Sequence, residues 1–159
     1  MKIPVPEFSN PDQALLHRFM AGGGQPVPFD ANPMARALKT ELRAADAQAG
    51  QVTLAFDPDP MFLQGAGMLQ GGALTAMLDF AMAYAVMVQM PIGSACTTVN
   101  LSTAFLRPAP LGRYVALGEV QRRGRQLAFT HARLVGEKDG KTVATATSTL
   151  ALMAPDARK

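Results

Sequence analysis

The fold is decided by residues 71–105, GGALTAMLDFAMAYAVMVQMPIGSACTTVNLSTAF, where one periodicity replaces another. Residues 73–90 are apolar almost throughout, as in a helix buried on all sides, and Pro91 and Gly93 predict its end. From Thr97 onward the pattern changes to a period of two, which indicates a strand with two different faces. The alternation predicts one face with Val99, Leu101, Thr103 and Phe105 and the other with Thr98, Asn100, Ser102 and Ala104.

Strand patterns lie on both sides of this stretch. Two precede it, at residues 38–47 and 51–56, and three follow it, at residues 113–122, 126–137 and 142–152. Asp139-Gly140, between the last two, is a strong hairpin signal. Because the order is two strands, one long helix and four strands, helix and sheet form separate blocks, which predicts an α+β fold. The simplest way to bury the helix is to wrap a curved antiparallel sheet around it.

The chain divides into a leader and a domain. Its 159 residues are enough for one domain with its own core. The leader, residues 1–32, is the least regular part and contains a short helix at residues 11–21, with Asn10 or Ser9 as its cap. Pro33 then starts another helical turn, at residues 34–38. We therefore place the domain at residues 33–159.

Composition favours self-association over binding to nucleic acid. Charged residues make up only 17% of the chain, aromatic residues 6%, and there is no Trp. Because so few charges cover the surface, we expect a homo-oligomer, either a dimer or a dimer of dimers, that is, a homotetramer. The net charge is only +3, and the basic residues are spread thinly apart from Arg122, Arg123 and Arg125. No nucleic-acid partner is expected.

Two further observations bear on the compartment. Cys96 is the only cysteine, and the N-terminal MKIPVPEFSNPDQ lacks the apolar segment of a secretory signal, so a cytoplasmic location is expected. Residues 71–93 have the length of a membrane span, but Asp79 lies near the middle and flanking basic anchors are missing. We therefore expect a helix in a soluble core and no membrane partner.

Asp79 and the pair Gly71-Gly72 are the residues that point to chemistry. Glycines at a helix start leave first-turn amides open to close approach, and such amides bind negative charge, including an oxyanion. Asp79 lies about two turns further, on a face near that of Gly72 and Thr75. Two plainer interpretations stay open. In the first, Asp79 is a structural acid that a neighbouring hydroxyl or amide satisfies. In the second, the two glycines only allow the helix to pack closely on a strand.

Other chemistry has no motif in this chain. His17 and His131 have no Cys or acidic cluster at ligand spacing, so no metal is expected. A nucleophile elbow, a phosphate-binding loop and a dinucleotide fingerprint are all missing. No cofactor is therefore expected.

Four stretches of the chain form a recognisable set through their order and spacing. They are Asn32-Pro33-Met34-Ala35-Arg36, the run from Gln64 through Leu69-Gln70-Gly71-Gly72 to Leu78-Asp79, the run from Asn100 to Phe105-Leu106-Arg107-Pro108-Ala109, and Gln121-Arg122-Arg123-Gly124-Arg125 before a strand ending Val143-Ala144-Thr145-Ala146. With these stretches, residues 33–153 resemble the PaaI-type hotdog-fold acyl-CoA thioesterases.

The resemblance implies a role for each matching residue. Asp79 becomes the general base or nucleophile, the Gly71 amide the oxyanion donor, and Gln64 the residue that orients the carbonyl or the water. Thr98, with Thr97 as the near alternative, helps to hold the water. Gln70 and Gly72 contact the substrate, although many members of the family have His where this chain has Gln70. The family's site lies across a dimer interface, with Asp79 of one subunit facing Gln64 and Gly71 of the other.

The implied reaction is hydrolysis of an acyl-CoA thioester to free acid and coenzyme A, without a metal and with coenzyme A as part of the substrate. Guanidinium groups match phosphate oxygens, so Arg107, Arg122, Arg123 and Arg125 are expected to bind the coenzyme A phosphates. A solvated hairpin end, or pairing of Arg107 with a carboxylate, is the plainer alternative.

Two other functions stay open on this fold: a non-catalytic acyl-CoA binding or sensing protein, and a hydratase or dehydratase, which would need a His beside its acid. The acyl group is also open, because the small residues Ala73, Ala76, Ala81 and Ala83 leave room for a long or aromatic chain.

Overall fold

A computed structural model describes residues 10–155 of the chain. It contains helices α1 (Pro11–Ala21), α2 (Pro33–Ala37) and α3 (Gly71–Met87), and a 3-10 turn at Pro60–Phe62. The strands are β1 (Val27–Pro28), β2 (Glu41–Asp46), β3 (Gln51–Phe56), β4 (Ala95–Phe105), β5 (Tyr114–Arg123), β6 (Leu127–Gly136) and β7 (Thr142–Met153). The predicted α+β fold is confirmed, with an antiparallel sheet curved around α3.

The strands form one seven-stranded sheet in the order β1-β2-β3-β5-β6-β7-β4, and each neighbouring pair is antiparallel. Strands β5, β6 and β7 are joined as consecutive hairpins. Strand β4, the first after α3, pairs with β7 at the far side of the sheet. Among residues 10–155 no strand pairs with the outer side of β4, so its backbone groups there form a free edge.

Helix α3 is buried on nearly all sides, which explains its apolar sequence. It packs against β3 to β7. The closest approach is at β5, where a Cβ atom added to Gly118 would lie 2.2 Å from the Ala81 carbonyl oxygen. Glycine at position 118 therefore allows the sheet to close over the middle of the helix. Within residues 10–155, no helix combines the length and the apolar character that a membrane crossing requires.

The leader helix packs into the same core as the rest of the chain. Its predicted bounds are confirmed, and the Asn10 side chain caps it by accepting hydrogen bonds from the amides of Asp12 and Gln13. Leu16 and Phe19 belong to the core cluster that also surrounds α3. The division into a leader and a domain stays a prediction, and Ser9, the alternative cap, lies outside the described residues.

Two details of the predicted elements are wrong for local reasons. The strand predicted from residue 38 begins only at Glu41, because Leu38 ends α2 and Lys39 has a left-handed φ of 47°. Strand β1 was not predicted, because a two-residue strand that contains Pro28 has no readable periodicity.

Candidate active site

Polar side chains of α3 and β4 contact one another close to the free edge of the sheet. The Thr98 hydroxyl donates a hydrogen bond to a carboxylate oxygen of Asp79 at 2.8 Å. One helical turn earlier, the hydroxyls of Thr75 and Thr103 are 3.3 Å apart. The predicted sharing of one helix face by Asp79 and Thr75 is therefore confirmed, and this face meets β4.

A β-bulge places Thr98 on the same side of β4 as Asp79. The pairing of β4 with β7 shifts register between Thr98 and Asn100, so Val99 is an extra residue in the strand. Val99 is 62% exposed. The predicted assignment of Thr98 and Leu101 to opposite faces is therefore wrong: both lie opposite inward-facing residues of β7, Leu150 and Ser148. Strict alternation cannot show an inserted residue.

The environment of Asp79 suits a carboxylate that exchanges protons. Its side chain is partly buried, and burial raises its pKa above the ordinary value of 3.8. The hydrogen bond from Thr98 acts in the opposite direction, because it stabilises the ionised form. No basic side chain within residues 10–155 forms an ion pair with Asp79. The hydroxyl contact fits the structural interpretation of Asp79, and the catalytic interpretation stays a prediction.

The start of α3 offers free amides. The Gln70 carbonyl accepts from the amides of Ala73 and Leu74, and the Gln70 side chain does not cap the helix. The amides of Gly71 and Gly72 accordingly donate to no other residue within the described range. A Cβ atom added to Gly71 would lie 3.0 Å from the Phe105 ring, whereas one added to Gly72 would meet nothing within 4 Å. Close packing thus explains Gly71, and the space in front of Gly72 is open.

Four of the predicted site residues line one cavity at this end of the helix. Its volume is about 520 Å³, and its walls include Gln64, Gln70, Gly71 and Arg107 together with the ring of Phe105. The Gln64 side-chain oxygen accepts a hydrogen bond from the Ala66 amide within its own loop. Gln64 therefore lines the same cavity as Gly71, and its role in orienting the carbonyl or the water stays a prediction.

Asp79 belongs to a second cavity, of about 410 Å³, which it shares with Thr97 and Thr98. Eight residues of helix separate Gly71 from Asp79, a rise of about 12 Å. A catalytic base and an oxyanion donor must each lie about 3 Å from the same reacting group. One chain therefore does not bring the predicted catalytic residues together.

The four arginines predicted to bind phosphate also lie at two separate places. Arg107 lies with Gly71, and its guanidinium donates to the Thr142 carbonyl oxygen at 2.5 Å, so its partner is a backbone group and not a carboxylate. Arg122, Arg123 and Arg125 are exposed, and the last two line a recess with Met90 and Pro91, beyond the C-terminal end of α3. Phosphate binding by either group stays a prediction.

Sequence reasoning missed the polar residues beside Asp79. Asn32 donates to both carboxylate oxygens of Asp12 and to the Tyr84 hydroxyl, at 3.0 Å each. Asp12 and Tyr84 line the same cavity as Asp79. A Tyr in the middle of an apolar helix was the available signal, but its partners lie far away along the chain. Within residues 10–155, no group of three or more His, Cys, Asp or Glu side chains is arranged to hold a metal ion.

An antiparallel sheet curved around one long helix is the fold of the hotdog thioesterases. The profile of the thioesterase superfamily matches residues 66–143. A crystal structure of a thioesterase related to phenylacetic acid degradation, from Ralstonia eutropha JMP134, is 36% identical and has a TM-score of 0.74. The match covers 86% of this chain and 98% of that one.

Two further structures agree in fold. A thioesterase family protein from Silicibacter pomeroyi is 27% identical over 87% of this chain and 98% of its own, with a TM-score of 0.74. The E. coli PaaI protein from the phenylacetic acid degradation operon is 23% identical over 91% and 96%, with a TM-score of 0.72. None of the curated proteins matches this sequence. The chain belongs to the thioesterase superfamily, and its resemblance to the PaaI-type proteins is confirmed.

Proposed function

We propose that this protein hydrolyses acyl-CoA thioesters to a free acid and coenzyme A, with Asp79 as the catalytic carboxylate. The observation that carries the proposal is the position of Asp79 at a cavity near the free sheet edge, partly desolvated and oriented by Thr98. A carboxylate with a raised pKa accepts a proton more readily than an ordinary aspartate, which suits a general base.

The reaction needs only groups of this chain and water. Ionised Asp79 either takes a proton from water, which then attacks the thioester carbonyl carbon, or attacks that carbon itself to form an anhydride that water cleaves. In both routes negative charge develops on the carbonyl oxygen, where the Gly71 amide stabilises it. The carbon–sulfur bond then breaks, and the coenzyme A thiolate leaves and takes up a proton.

The reacting groups come from two copies of the chain in this proposal. Asp79 is tied to Thr98 at one end of β4, and Gly71 packs on Phe105 at the other. If two β4 edges pair antiparallel about Ser102, the extra residue Val99 brings Thr98 of one copy opposite Phe105 of its twin. The Asp79 carboxylate of each copy is then brought toward the Gly71 amide of the other, which removes the separation found within one chain.

The test is thiol release from a panel of aliphatic and aryl acyl-CoA substrates by the purified protein. Asp79→Asn is nearly isosteric, and we expect it to abolish turnover while circular dichroism and oligomeric state stay unchanged. Asp57→Asn removes an exposed carboxylate elsewhere and serves as the matched control. Full activity of Asp79→Asn would rule out the proposed role of Asp79.

One observation favours a second candidate, a non-catalytic acyl-CoA binding protein. The Gln64 side-chain oxygen is already engaged by the Ala66 amide, and Gln70 stands where many relatives have His. The same panel separates the two candidates. Tight retention of acyl-CoA without thiol release at any chain length would establish binding alone.

A further inference from the structure

The cavity at Asp79 extends along α3 away from Gly71 and ends at the leader helix. Its wall on α3 is a single helical stripe of Asp79, Phe80, Ala83, Tyr84 and Met87. Opposite the far end of this stripe lie Asn10 and Asp12, at the start of α1. The start of α1 therefore lines the end of the cavity that lies furthest from Asp79 along α3.

The positions along α3 give the depth of this cavity. The Asn10 side-chain amide lies 3.7 Å from the sulfur of Met87. Met87 is eight residues beyond Asp79, a rise of about 12 Å, and Tyr84 is five residues beyond it, about 7.5 Å. An acyl group that starts at Asp79 therefore passes apolar side chains for one to two helical turns before it meets polar groups.

The far end of the cavity is a carboxylate with free acceptor capacity. The Asn32 amide donates to both oxygens of Asp12 and to the Tyr84 hydroxyl, all at 3.0 Å. Tyr84 is fixed by stacking on Phe29, with ring centroids 4.4 Å apart. No basic side chain within residues 10–155 forms an ion pair with Asp12. The Tyr84 hydroxyl also donates a hydrogen bond to Asp12. Because a carboxylate offers about four acceptor sites, Asp12 keeps room for one further donor beside Asn32 and Tyr84.

We propose that Asp12 determines acyl-group specificity, by favouring acyl groups of limited length that end in a hydrogen-bond donor, such as a hydroxyl, over plain alkyl chains. The inference rests on the proposed function, because it treats the cavity at Asp79 as the acyl site. A terminal hydroxyl donates a hydrogen bond to Asp12. An alkyl end of the same length displaces the water that bonds to this carboxylate and offers no donor in its place. A longer alkyl chain has to displace the start of α1.

The experiment compares hexanoyl-CoA with its terminally hydroxylated analogue, with dodecanoyl-CoA as the long substrate. We expect wild-type kcat/KM to favour the hydroxylated substrate about tenfold or more, the effect of one hydrogen bond to a charged group. In Asp12→Ala this preference disappears and dodecanoyl-CoA becomes the better alkyl substrate. Asp12→Asn keeps the shape and loses the charge, so the preference falls severalfold and the test does not depend on the Ala variant folding.

Binding separates this inference from the proposed function. Thioether analogues of the two hexanoyl compounds cannot be hydrolysed, so the ratio of their Kd values, measured by calorimetry, tests Asp12 even if no thiol is released. Asp30→Asn, an exposed leader carboxylate outside the cavity, is the matched control and keeps the wild-type ratio. The inference is overturned if neither analogue binds, if wild type shows no preference, or if both Asp12 variants keep it.

Discussion

At the scale of single residues, the bond between Thr98 and Asp79 makes the pH profile a direct probe of the site. In its proposed role Asp79 must be ionised, and burial raises its pKa above 3.8, so we expect activity to be lost on acidification at a higher pH than for an ordinary aspartate. Thr98→Val removes the hydroxyl donor that stabilises the ionised form of Asp79. The pKa of Asp79 then rises further, and the acid limb of kcat/KM against pH moves to higher pH.

Thr97→Val is the control for this shift, because Thr97 lines the same cavity as Asp79 but forms no hydrogen bond with it among residues 10–155. Its acid limb stays at the wild-type position. An acid limb that does not move in Thr98→Val, or moves equally in both variants, contradicts the role given to Thr98.

The Gly71 amide can be removed without breaking α3. Gly71 is the first helical residue, where proline is favoured, and Gln70 already has φ −62° and ψ 137°, as a residue before proline requires. Gly71→Pro deletes the oxyanion donor, so we expect kcat to fall by about two to three orders of magnitude. Gly71→Ala brings the same Cβ toward Phe105 but keeps the amide. Steady-state kinetics of the two variants separate the two effects, and equal losses in both would show that crowding is responsible.

At the scale of elements, the closest contact between α3 and the sheet sets the stability of the domain. Gly118→Ala places a Cβ 2.2 Å from the Ala81 carbonyl, where backbone has to move. We expect the free energy of unfolding to fall by about 1–3 kcal/mol, as for other overpacked cores. Gly112→Ala is the matched control, because a Cβ there meets nothing within 4 Å. Urea denaturation of the two variants measures the difference, and a neutral Gly118→Ala would show that α3 and β5 are less tightly packed.

Most elements were predictable because their signals are local. The apolar run of α3, the alternation in β4 to β7 and the cap of α1 can each be read from neighbouring residues. The order of strands in the sheet and the bulge at Val99 depend on pairing between distant segments. No local pattern contains that information. Thr98 was for this reason assigned to the wrong face of β4.

The candidate site was also predictable only where its signals are local or where the family resemblance supplied them. Asp79 and the Gly71-Gly72 pair stand out in an apolar helix, and the resemblance led to Gln64 and Thr98. The group of Asp12, Asn32 and Tyr84 joins the leader to the last turn of α3, over 72 residues of sequence at its widest. Only the folded chain brings them together, so no spacing in the sequence predicted them.

At the scale of the whole molecule, the free edge of β4 is the surface most in need of a partner. It combines unpaired backbone groups with exposed apolar side chains, Val99, Phe105 and Leu106, which an isolated domain usually covers or interrupts with charge. The charge-poor composition is consistent with this, and a homo-oligomer stays a prediction. The same edge adjoins both halves of the candidate site, so association and activity are expected to be lost together.

Subunit mixing tests the shared site most directly. Asp79→Asn and Gly71→Pro, each inactive alone, are co-expressed with different tags, and the heterodimer is purified through both tags. One of its two sites then combines the intact Asp79 of one copy with the intact Gly71 of the other, and the second site carries both defects. The shared-site account predicts about half of wild-type thiol release from the heterodimer. No activity in a correctly assembled heterodimer would contradict it, because each defect would then disable its own chain.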